Sequence, residues 1–338
     1  MSQGELSTDP SRLFGMITGM VGAQAVYVAA ELGIADHVKD SPRSPAELAQ
    51  RTGAHPDSLH RLLRYLASEH IFAEDESGRF GLTPLAEMLR SDSPTRVRDV
   101  ARMMGSEPAR ACTALLHSVK TGECAFEHVF GAPLFEYLGR HAEKAQVFDG
   151  AMIGIHGPET RPMIDAYDFS QFQSIVDIGG ASGAVLLEVL RASPKSRGIA
   201  FDLPHIAEQG KARIAASDCA ARCTAEGGDF FEAVPTGADC YMMRHIIHDW
   251  DDEKSAIILR RCREAMKPGG KVLVVEMVLP EGNEPHMGKM LDLVMLTCPG
   301  GRERTASEYD ALFKRAGLKL TRIVPTASAV SVVEGMVA

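Results

Sequence analysis

The run IVDIGGASG at residues 175–183 contains three glycines and one aspartate in a spacing typical of a ligand-binding turn. Gly179, Gly180 and Gly183 predict a tight turn from a buried strand into a helix, where the backbone can approach a ligand closely. Asp177 places a carboxylate just before that turn. This carboxylate would repel the pyrophosphate of a dinucleotide.

The glycine spacing also departs from the dinucleotide pattern GxGxxG, because Ala181 and Ala184 stand where two of its glycines belong. S-adenosylmethionine carries an ammonium group, a sulfonium group and no phosphate, so it suits the carboxylate of Asp177. We therefore predict S-adenosylmethionine as cofactor and S-adenosylhomocysteine as product. A nicotinamide-dependent oxidoreductase is the weaker interpretation.

Two further acids follow the next two predicted strands. Asp202 ends the second strand and can accept hydrogen bonds from the two hydroxyls of a ribose. Asp229 ends the third strand and can accept from an adenine amino group, while Phe230 offers a ring for stacking. Ligands of open α/β sheets bind outside the carboxyl ends of the strands. Three acids at successive strand ends therefore predict one nucleoside-type site.

A histidine follows at the end of the fourth predicted strand, in RHIIHDWDD at residues 244–252. His248 can take a proton from a bound hydroxyl near neutral pH, as a general base does. Two glutamates can serve it: Glu276 ends the fifth strand, and Glu303 lies in the loop PGGRERT. Either carboxylate can fix the imidazole tautomer and stabilise the imidazolium.

We expect no metal site. His245 lies three residues before His248, an odd spacing that puts two strand side chains on opposite faces. The seven cysteines form no CxxC pair and no zinc spacing. Their odd number, without a recognisable signal peptide, favours a cytoplasmic protein.

The elements that position these residues alternate between strand and helix from about residue 170 onward, which predicts a parallel α/β sheet. A helix is predicted over 252–266, and Thr305 with Glu308 forms the capping box of another. The strands are predicted at 175–178, 197–203, 223–231, 239–248, 271–279, 318–324 and 329–337.

The first hundred residues have a different pattern, which is mostly helical. Ser44, Pro45 and Glu47 form a helix N-terminal signature. A helix over 56–68 and a hairpin over 71–83 complete a winged-helix outline, which raises DNA binding as a function.

The charge balance opposes nucleic-acid binding. Residues 41–98 carry eight basic and eight acidic side chains, and the whole chain has a net charge of −9. A neutral module lacks the counterion release that drives non-specific DNA affinity. The apolar stretch 13–30 contains Gln24 and many small residues, so we expect it to pack against a second subunit and not to enter a membrane.

These residues resemble the plant-type small-molecule O-methyltransferases and their bacterial relatives, over nearly the whole chain. The resemblance is carried by DIGGASG, FDLPH, GGDFF, HDWDD and GGRERT. It implies a Rossmann-like catalytic domain over 170–338 and a homodimer formed through a winged-helix-like dimerisation domain over 1–100. Residues 101–169 are then a helical linker that contributes to the substrate pocket.

The resemblance also implies roles for individual residues. His248 matches the catalytic base, with Glu276 and Glu303 beside it, and Asp249 matches a substrate-binding position. The implied cofactor-binding residues are Asp177, Gly179, Gly180, Gly183, Asp202, Leu203, Gly228, Asp229, Phe230 and Arg244. The predicted acceptor-binding residues are Asp249, Met152, Ile155, His156, Met295 and Cys298.

Three departures from the family pattern keep the acceptor prediction broad. Ala181 replaces a glycine of GGGxG, Arg244 replaces a lysine, and Cys298 replaces the asparagine common in the catechol-type enzymes. The acceptor is therefore predicted only as a small hydroxylated aromatic of the phenolic, phenazine or polyketide type. Two alternatives stay open: hydroxylation or decarboxylation on the same fold and cofactor, and a regulatory winged-helix protein that binds a ligand.

Overall fold

A computed structural model describes residues 9–180 and 182–338. The chain divides into two compact units, one of residues up to 110 together with 136–157, the other of 111–135 together with 158–338. The segment 101–169 thus contributes to both units, and the predicted boundaries at 100 and 169 stay predictions.

The first unit has the predicted helices and hairpin. The capping box at Ser44 is present, since Ser44 Oγ accepts from the Glu47 N–H (3.3 Å) and Glu47 Oε2 accepts from the Ser44 N–H (2.7 Å). Leu63, Leu66 and Phe80 are fully buried between these elements. The elements are α1 (Pro10–Glu31), α2 (Ile34–His37), α3 (Pro45–Thr52), α4 (Pro56–Ser68), β1 (Phe72–Glu74), β2 (Phe80–Leu82), α5 (Pro84–Glu87) and α6 (Val97–Gly105).

Helix α1 presents an apolar face that its own unit does not cover. The side chains of Leu13, Phe14, Met16, Ile17, Met20 and Val21 are all exposed. Within the described residues, α1 is the one helix whose length and mean hydropathy of 1.6 would allow it to cross a membrane. A soluble chain that exposes such a face usually covers it with a partner.

Helices continue through residue 166. Helix α11 packs on α6 within the first unit, where a Cβ on Gly150 would lie 2.4 Å from Asp99 Oδ2. Short 3₁₀ helices occupy Gly157–Glu159 and Phe169–Gln171. The α-helices are α7 (Glu107–Thr113), α8 (Leu115–Thr121), α9 (Ala125–Phe130), α10 (Leu134–Arg140), α11 (Ala142–His156) and α12 (Thr160–Ala166).

A seven-stranded sheet forms the centre of the second unit, in the order β10-β11-β7-β6-β3-β4-β5. Strands β3 to β7 of this sheet are parallel, whereas β11 runs antiparallel between β10 and β7. The elements are β3 (Ser174–Ile178), α13 (Ala184–Ala192), β4 (Arg197–Asp202), α14 (Pro204–Ala215), β5 (Cys223–Gly227), β6 (Cys240–Arg244), α15 (Asp252–Ala265), β7 (Lys271–Glu276), β8 (Val278–Leu279), α16 (Met287–Thr297), β9 (Arg304–Thr305), α17 (Ala306–Arg315), β10 (Leu318–Pro325) and β11 (Ser331–Val337).

The order of strands in this sheet reverses between β3 and β6. From β3 the chain proceeds outward through β4 and β5, and it then returns to place β6 and β7 on the other side of β3. The carboxyl ends of β3 and β6 therefore border a topological switch point, where open α/β sheets bind ligands. Apolar side chains cover both faces of β3, with Ile175 on one face and Val176 on the other. Asp177 shares the face of Ile175, because side chains alternate along a strand.

Three predicted strands extend more than two residues beyond the observed ones. The third ends at Gly227 and not at 231, and the fifth is divided into β7 and β8. The fourth ends at Arg244 because His245 takes a left-handed φ of 54°, after which Ile247–Asp249 form a 3₁₀ helix. His248 therefore follows the strand and does not end it.

Candidate active site

The turn after β3 leaves no room for side chains. Gly179 has φ 68°, and a Cβ there would lie 2.3 Å from Ile246 Cδ1. A Cβ on Gly180 would lie 2.9 Å from the carbonyl oxygen of Asp177, and Gly183 has φ 74°. The sequence therefore needs glycine here for close packing as well as for conformation. Ala181 lies outside the described residues.

Asp177 is a buried carboxylate at the end of β3. Asp177 is 3% exposed, and its Oδ2 accepts no hydrogen bond from the described residues. Burial raises the pKa of Asp177 to about 7; the charge of Arg244 opposes this rise and that of Asp202 adds to it. A buried acceptor without a donor is unfavourable by about 1–3 kcal/mol. The site thus fits a ligand that brings a cationic donor, as the ammonium group of S-adenosylmethionine does.

Asp202 and Leu203 lie at the carboxyl end of β4. Asp202 Oδ1 accepts from the Leu203 N–H (2.7 Å), and the Asp202 carbonyl accepts from the Gly228 N–H (2.9 Å). A Cβ on Gly228 would lie 2.6 Å from the Phe201 ring. The ends of β4 and β5 are therefore held together, and the role of Asp202 toward a ribose stays a prediction.

Asp229 and Phe230 have structural partners of their own. Asp229 Oδ1 accepts from the Phe231 N–H (2.8 Å), which caps the turn after β5. Phe230 packs edge-on against Phe231 and Trp250, with centroids 4.9 and 6.2 Å away. Their roles toward adenine stay predictions.

Arg244 ends β6, the strand beside β3. Its Nη1 donates to Thr160 Oγ1 at 2.9 Å. Burial lowers the pKa of Arg244, and the charges of Glu159 and Asp177 oppose this. The guanidinium of Arg244 therefore contacts the start of α12 and interacts electrostatically with the carboxylate of Asp177 on β3.

His248 lies in the 3₁₀ helix after β6 and is 5% exposed. Its Nδ1 is 2.7 Å from Glu303 Oε1, and its Nε2 is 3.7 Å from Asp249 Oδ1. Burial alone lowers the pKa of His248, but the hydrogen bond to Glu303 and the charges of Asp249, Glu276 and Glu303 outweigh it and raise the pKa to about 9. In the neutral form of the ring, which becomes the major form above the raised pKa, an Nδ1–H that donates to Glu303 leaves Nε2 as the proton acceptor.

The structure separates the roles of the two glutamates that the sequence left open. Glu276 Oε1 accepts from the backbone N–H groups of Ile246 and His248, both at 3.1 Å. Its Oε2 accepts from the Tyr309 hydroxyl at 2.6 Å. Glu303 therefore orients the imidazole, whereas Glu276 holds the backbone that carries it.

The loop before β9 is fitted closely around His248. The Arg302 N–H donates to the His248 carbonyl (2.8 Å), and the Glu303 N–H donates to Asp292 Oδ1 (2.8 Å). A Cβ on Gly301 would lie 2.0 Å from the same His248 carbonyl oxygen. Glycine at 301 is thus what allows the two segments to meet.

Arg304 is a fully buried cation that fastens this loop to the segment after β6. Its guanidinium donates to the carbonyls of Ile247 (3.2 Å) and Trp250 (3.0 Å) and to Asp252 Oδ1 (2.9 Å). Sequence reasoning missed Arg304, Gly301 and Asp292. The motif GGRERT contained two of them, but it gave no indication of what they contact.

Asp249 is buried beside the imidazole. Burial raises the pKa of Asp249 to about 7; the charge of His248 opposes the rise, while those of Glu276 and Glu303 add to it. This carboxyl group is therefore poised to change its protonation state near neutral pH. Its contact with a substrate stays a prediction.

His245 contradicts one prediction. Its ring centroid is 5.1 Å from that of His248, so the two rings do not lie on opposite faces of a strand. The strand ends at Arg244, and side-chain alternation does not extend past that residue. His245 Nε2 instead lies 2.7 Å from Glu159 Oε2.

The residues predicted to contact the acceptor fall in both units. Met152, Ile155 and His156 lie on α11 in the first unit, whereas Met295 and Cys298 lie at the end of α16 in the second. Met295 and Cys298 are buried, and Cys124 Sγ donates to the Cys298 carbonyl at 3.0 Å. Their roles toward an acceptor stay predictions.

Comparison with known proteins agrees with this site. A family model for the O-methyltransferase domain matches residues 113–319, and one for the O-methyltransferase dimerisation domain matches 14–115. The chain is 49% identical over 324 residues to a phenazine O-methyltransferase of Lysobacter antibioticus, covering 96% of this chain and 95% of that protein. It is 39% identical to a 3-amino-4-hydroxybenzoate 4-O-methyltransferase of Streptomyces cremeus, covering 95% and 88%.

A solved structure of similar fold contains ligands. This O-methyltransferase from neocarzinostatin biosynthesis, in complex with S-adenosylmethionine and 2-hydroxy-5-methyl naphthoic acid, has a TM-score of 0.84 at 35% identity, covering 94% of this chain and 96% of that one. The predicted family, fold class and cofactor are confirmed, and the dimerisation domain supports a homodimer. The chain therefore belongs to the O-methyltransferase family, as an S-adenosylmethionine-dependent enzyme whose N-terminal dimerisation domain precedes a Rossmann-like catalytic domain.

Proposed function

We propose that this enzyme methylates a hydroxyl group of a small aromatic metabolite of the phenolic, phenazine or polyketide type, with His248 as general base. The observation that carries the proposal is the buried His248–Glu303 pair, in which a carboxylate 2.7 Å from Nδ1 leaves Nε2 to accept a proton. Retention of His248 with Glu276 and Glu303 favours methyl transfer over hydroxylation or decarboxylation on the same fold and cofactor.

The strand ends offer a consistent set of cofactor contacts. Asp177 Oδ2 would accept from the ammonium group, and the backbone of Gly179 and Gly180 would pass close to the ligand. Asp202 with Leu203 would hold the ribose, Gly228, Asp229 and Phe230 the adenine, and Arg244 would stand near the amino-acid end. When bound, S-adenosylmethionine supplies an electrophilic methyl group on a positively charged sulfur.

His248 would act on the acceptor hydroxyl as its oxygen attacks the methyl group in an in-line displacement. Its Nε2 would take the hydroxyl proton, which makes the acceptor oxygen a better nucleophile. The imidazolium so formed is stabilised by Glu303 through Nδ1, and Glu276 keeps the backbone in place. The carboxylates therefore stabilise charge that develops during the reaction, which is the kind of interaction that accelerates it.

The acceptor class is inferred from the relatives. A phenazine, an aminohydroxybenzoate and a naphthoate are all flat rings, and those relatives are named as O-methyltransferases or have such a ring bound. We propose that Asp249, Met152, Ile155, His156, Met295 and Cys298 contact the acceptor. Methionine and cysteine side chains suit flat aromatic ligands because they are polarizable and adaptable.

The assembly would be a homodimer in the cytoplasm that binds neither nucleic acid nor membrane. The dimerisation-domain match includes α1, whose apolar face is exposed in the single chain. We propose that this face packs against the second subunit.

Transfer of labelled methyl from S-adenosylmethionine tests the proposal. Wild type, His248→Ala and the control His205→Ala, which changes an exposed histidine on α14, are assayed on a hydroxyphenazine, a hydroxynaphthoate and an aminohydroxybenzoate. We expect methylation of at least one acceptor and a loss of about 10²-fold or more in His248→Ala alone. Undiminished activity in that variant would refute the base. Binding of S-adenosylhomocysteine without methylation of any acceptor would favour the non-methylating chemistry.

A further inference from the structure

A second buried histidine–glutamate pair lies beside the proposed base. His245 Nε2 is 2.7 Å from Glu159 Oε2, and the two side chains are only 6% and 7% exposed. The His245 ring centroid is 5.1 Å from that of His248, with the ring planes inclined by 44°. The proposed methyl transfer uses neither His245 nor Glu159.

The backbone is strained at His245. This residue is one of the non-glycine residues with positive φ, at 54°. Such a conformation is unfavourable for a non-glycine residue and persists only where the surroundings enforce it. The His245 N–H still donates to the Val275 carbonyl (3.2 Å), so the residue stays beside β7 while its side chain leaves the strand pattern. The strain thus directs the ring toward His248.

Burial of the pair adds a second unfavourable contribution. Removing an imidazole and a carboxylate from water costs several kcal/mol before their attraction is counted. Glu159 belongs to the 3₁₀ helix Gly157–Glu159, and its residue is 5% exposed. An apolar pair of similar volume would pack there at lower cost. Strain and polar burial at one place next to a catalytic group indicate a function.

The geometry identifies that function. The hydrogen bond from His248 Nδ1 to Glu303 fixes one point of the imidazole, and Glu276 fixes its backbone. Neither contact restrains the tilt of the ring about the Nδ1–Glu303 direction. The His245 ring, with its centroid 5.1 Å away, is close enough to limit this tilt, and its own Nε2 is held by Glu159.

We propose that His245, held by Glu159, is a positioning residue for His248, which keeps Nε2 directed at the acceptor hydroxyl. The proposal rests on His248 being the base. It requires the ring of residue 245 and an anchor for that ring, and it assigns no proton transfer to His245. Misplacement of a catalytic group by a fraction of an ångström to 1 Å lowers the rate by up to about 10²-fold.

Four variants separate positioning from a purely structural role. His245→Gln places an amide near the Nε2 position and removes the ring, and Glu159→Ala removes the anchor. The double variant His245→Phe with Glu159→Leu replaces the polar pair by an apolar pair that keeps a ring at 245. His205→Asn is the matched control on the exposed surface of the same unit. Each is measured over a range of acceptor concentrations up to saturation, at saturating cofactor, with active sites counted by S-adenosylhomocysteine titration.

We expect kcat to fall about tenfold in His245→Gln and in Glu159→Ala. The KM of the acceptor and the affinity for S-adenosylhomocysteine should stay within about twofold, and the double variant should recover at least half of the lost kcat on a logarithmic scale. Wild-type kcat in His245→Gln would overturn the proposal, as would a double variant no better than Glu159→Ala. Parallel losses of cofactor affinity, melting temperature and kcat would overturn it too, because they would show a structural role.

The variants His248→Ala and His245→Gln together distinguish a wrong positioning role for His245 from a wrong base assignment for His248. If His248→Ala is inactive and His245→Gln is fully active, the base is retained and the positioning role is refuted. If His248→Ala is active, the base itself is refuted, and the positioning role with it.

Discussion

Replacing Glu303 by glutamine should change both the rate and its pH dependence. Burial works against the charged form of His248, but the hydrogen bond to Glu303 is the largest contribution that raises its pKa, from 6.5 to about 9. That rise corresponds to about 3 kcal/mol in favour of the imidazolium. A charged hydrogen bond is worth about 1.5–3 kcal/mol, so Glu303→Gln should lower the pKa of His248 by about one to two units.

The sign of the pH effect depends on which form of His248 reacts. The base must be neutral, so wild-type kcat/KM should rise about tenfold per pH unit from pH 7 and level off near the pKa of about 9. In Glu303→Gln this plateau should begin one to two units lower. The plateau itself should fall by about 10- to 150-fold, because the imidazolium that forms in the transition state loses its counter-charge. Near pH 7 the two effects oppose each other, so the loss there should be smaller than above pH 9.

The assay is the initial rate of methyl transfer between pH 6 and 10, with two acceptors whose hydroxyl groups differ in acidity. If the rising part of the pH–rate profile reflects a group of the enzyme, its apparent pKa is the same with both acceptors. Glu308→Gln is the matched control: Glu308 Oε2 accepts from the Thr305 N–H in a capping box that glutamine also supports, so its profile should follow wild type. An ascending limb unmoved in Glu303→Gln, with the same fold loss at every pH, would refute this electrostatic role of Glu303.

Three further variants test other parts of the site. Asp177→Asn should weaken S-adenosylhomocysteine binding by about 10- to 100-fold in calorimetry, since the charged acceptor for the ammonium group is lost. Burial raises the folded-state pKa of Asp177 to about 7, so the wild-type protein loses stability as the pH rises from about 4 to 7. The variant should therefore be more stable than wild type above pH 7 in denaturant titrations. Gly301→Ala forces a Cβ to within 2.0 Å of the His248 carbonyl oxygen, so kcat and the melting temperature should both fall. The control Gly139→Ala has open space around its Cβ and should keep the wild-type kcat. Equal kcat in the two variants would refute the close approach at Gly301. Arg304→Met removes the hydrogen-bond donors of two buried carbonyls and should lower the free energy of unfolding by about 3–5 kcal/mol. Arg304→Lys should lower it by an intermediate amount. A loss below about 1 kcal/mol in Arg304→Met would show that these bonds contribute little.

The sequence predicted those features that depend on neighbouring residues. The glycine turn after β3, both capping boxes and the acids at the strand ends can be read from short patterns, because dihedral preference and hydrogen bonding act over a few residues. Asp177, Asp202 and Asp229 accordingly lie at or just after the ends of successive strands.

The features that the sequence could not predict depend on contacts between distant segments. His248 and Glu303 are 55 residues apart, so spacing alone did not decide between Glu303 and Glu276. The end of β6 depends on the left-handed conformation of His245, and the preference of histidine for that conformation is too weak to identify the position from sequence. Arg304 is usually the kind of residue found at the surface, and only the carbonyls around it explain its burial.

The position of β11 links one edge of the sheet to the geometry of the active site. The strand β11, Ser331–Val337, lies between β10 and β7 and pairs along the full length of the strand that ends in Glu276. Until it is inserted, β7 has an open edge, and the glutamate that holds the backbone of His248 lacks a fixed frame. Chains in which β11 has not yet paired with β7 are therefore expected to lack methyl-transfer activity.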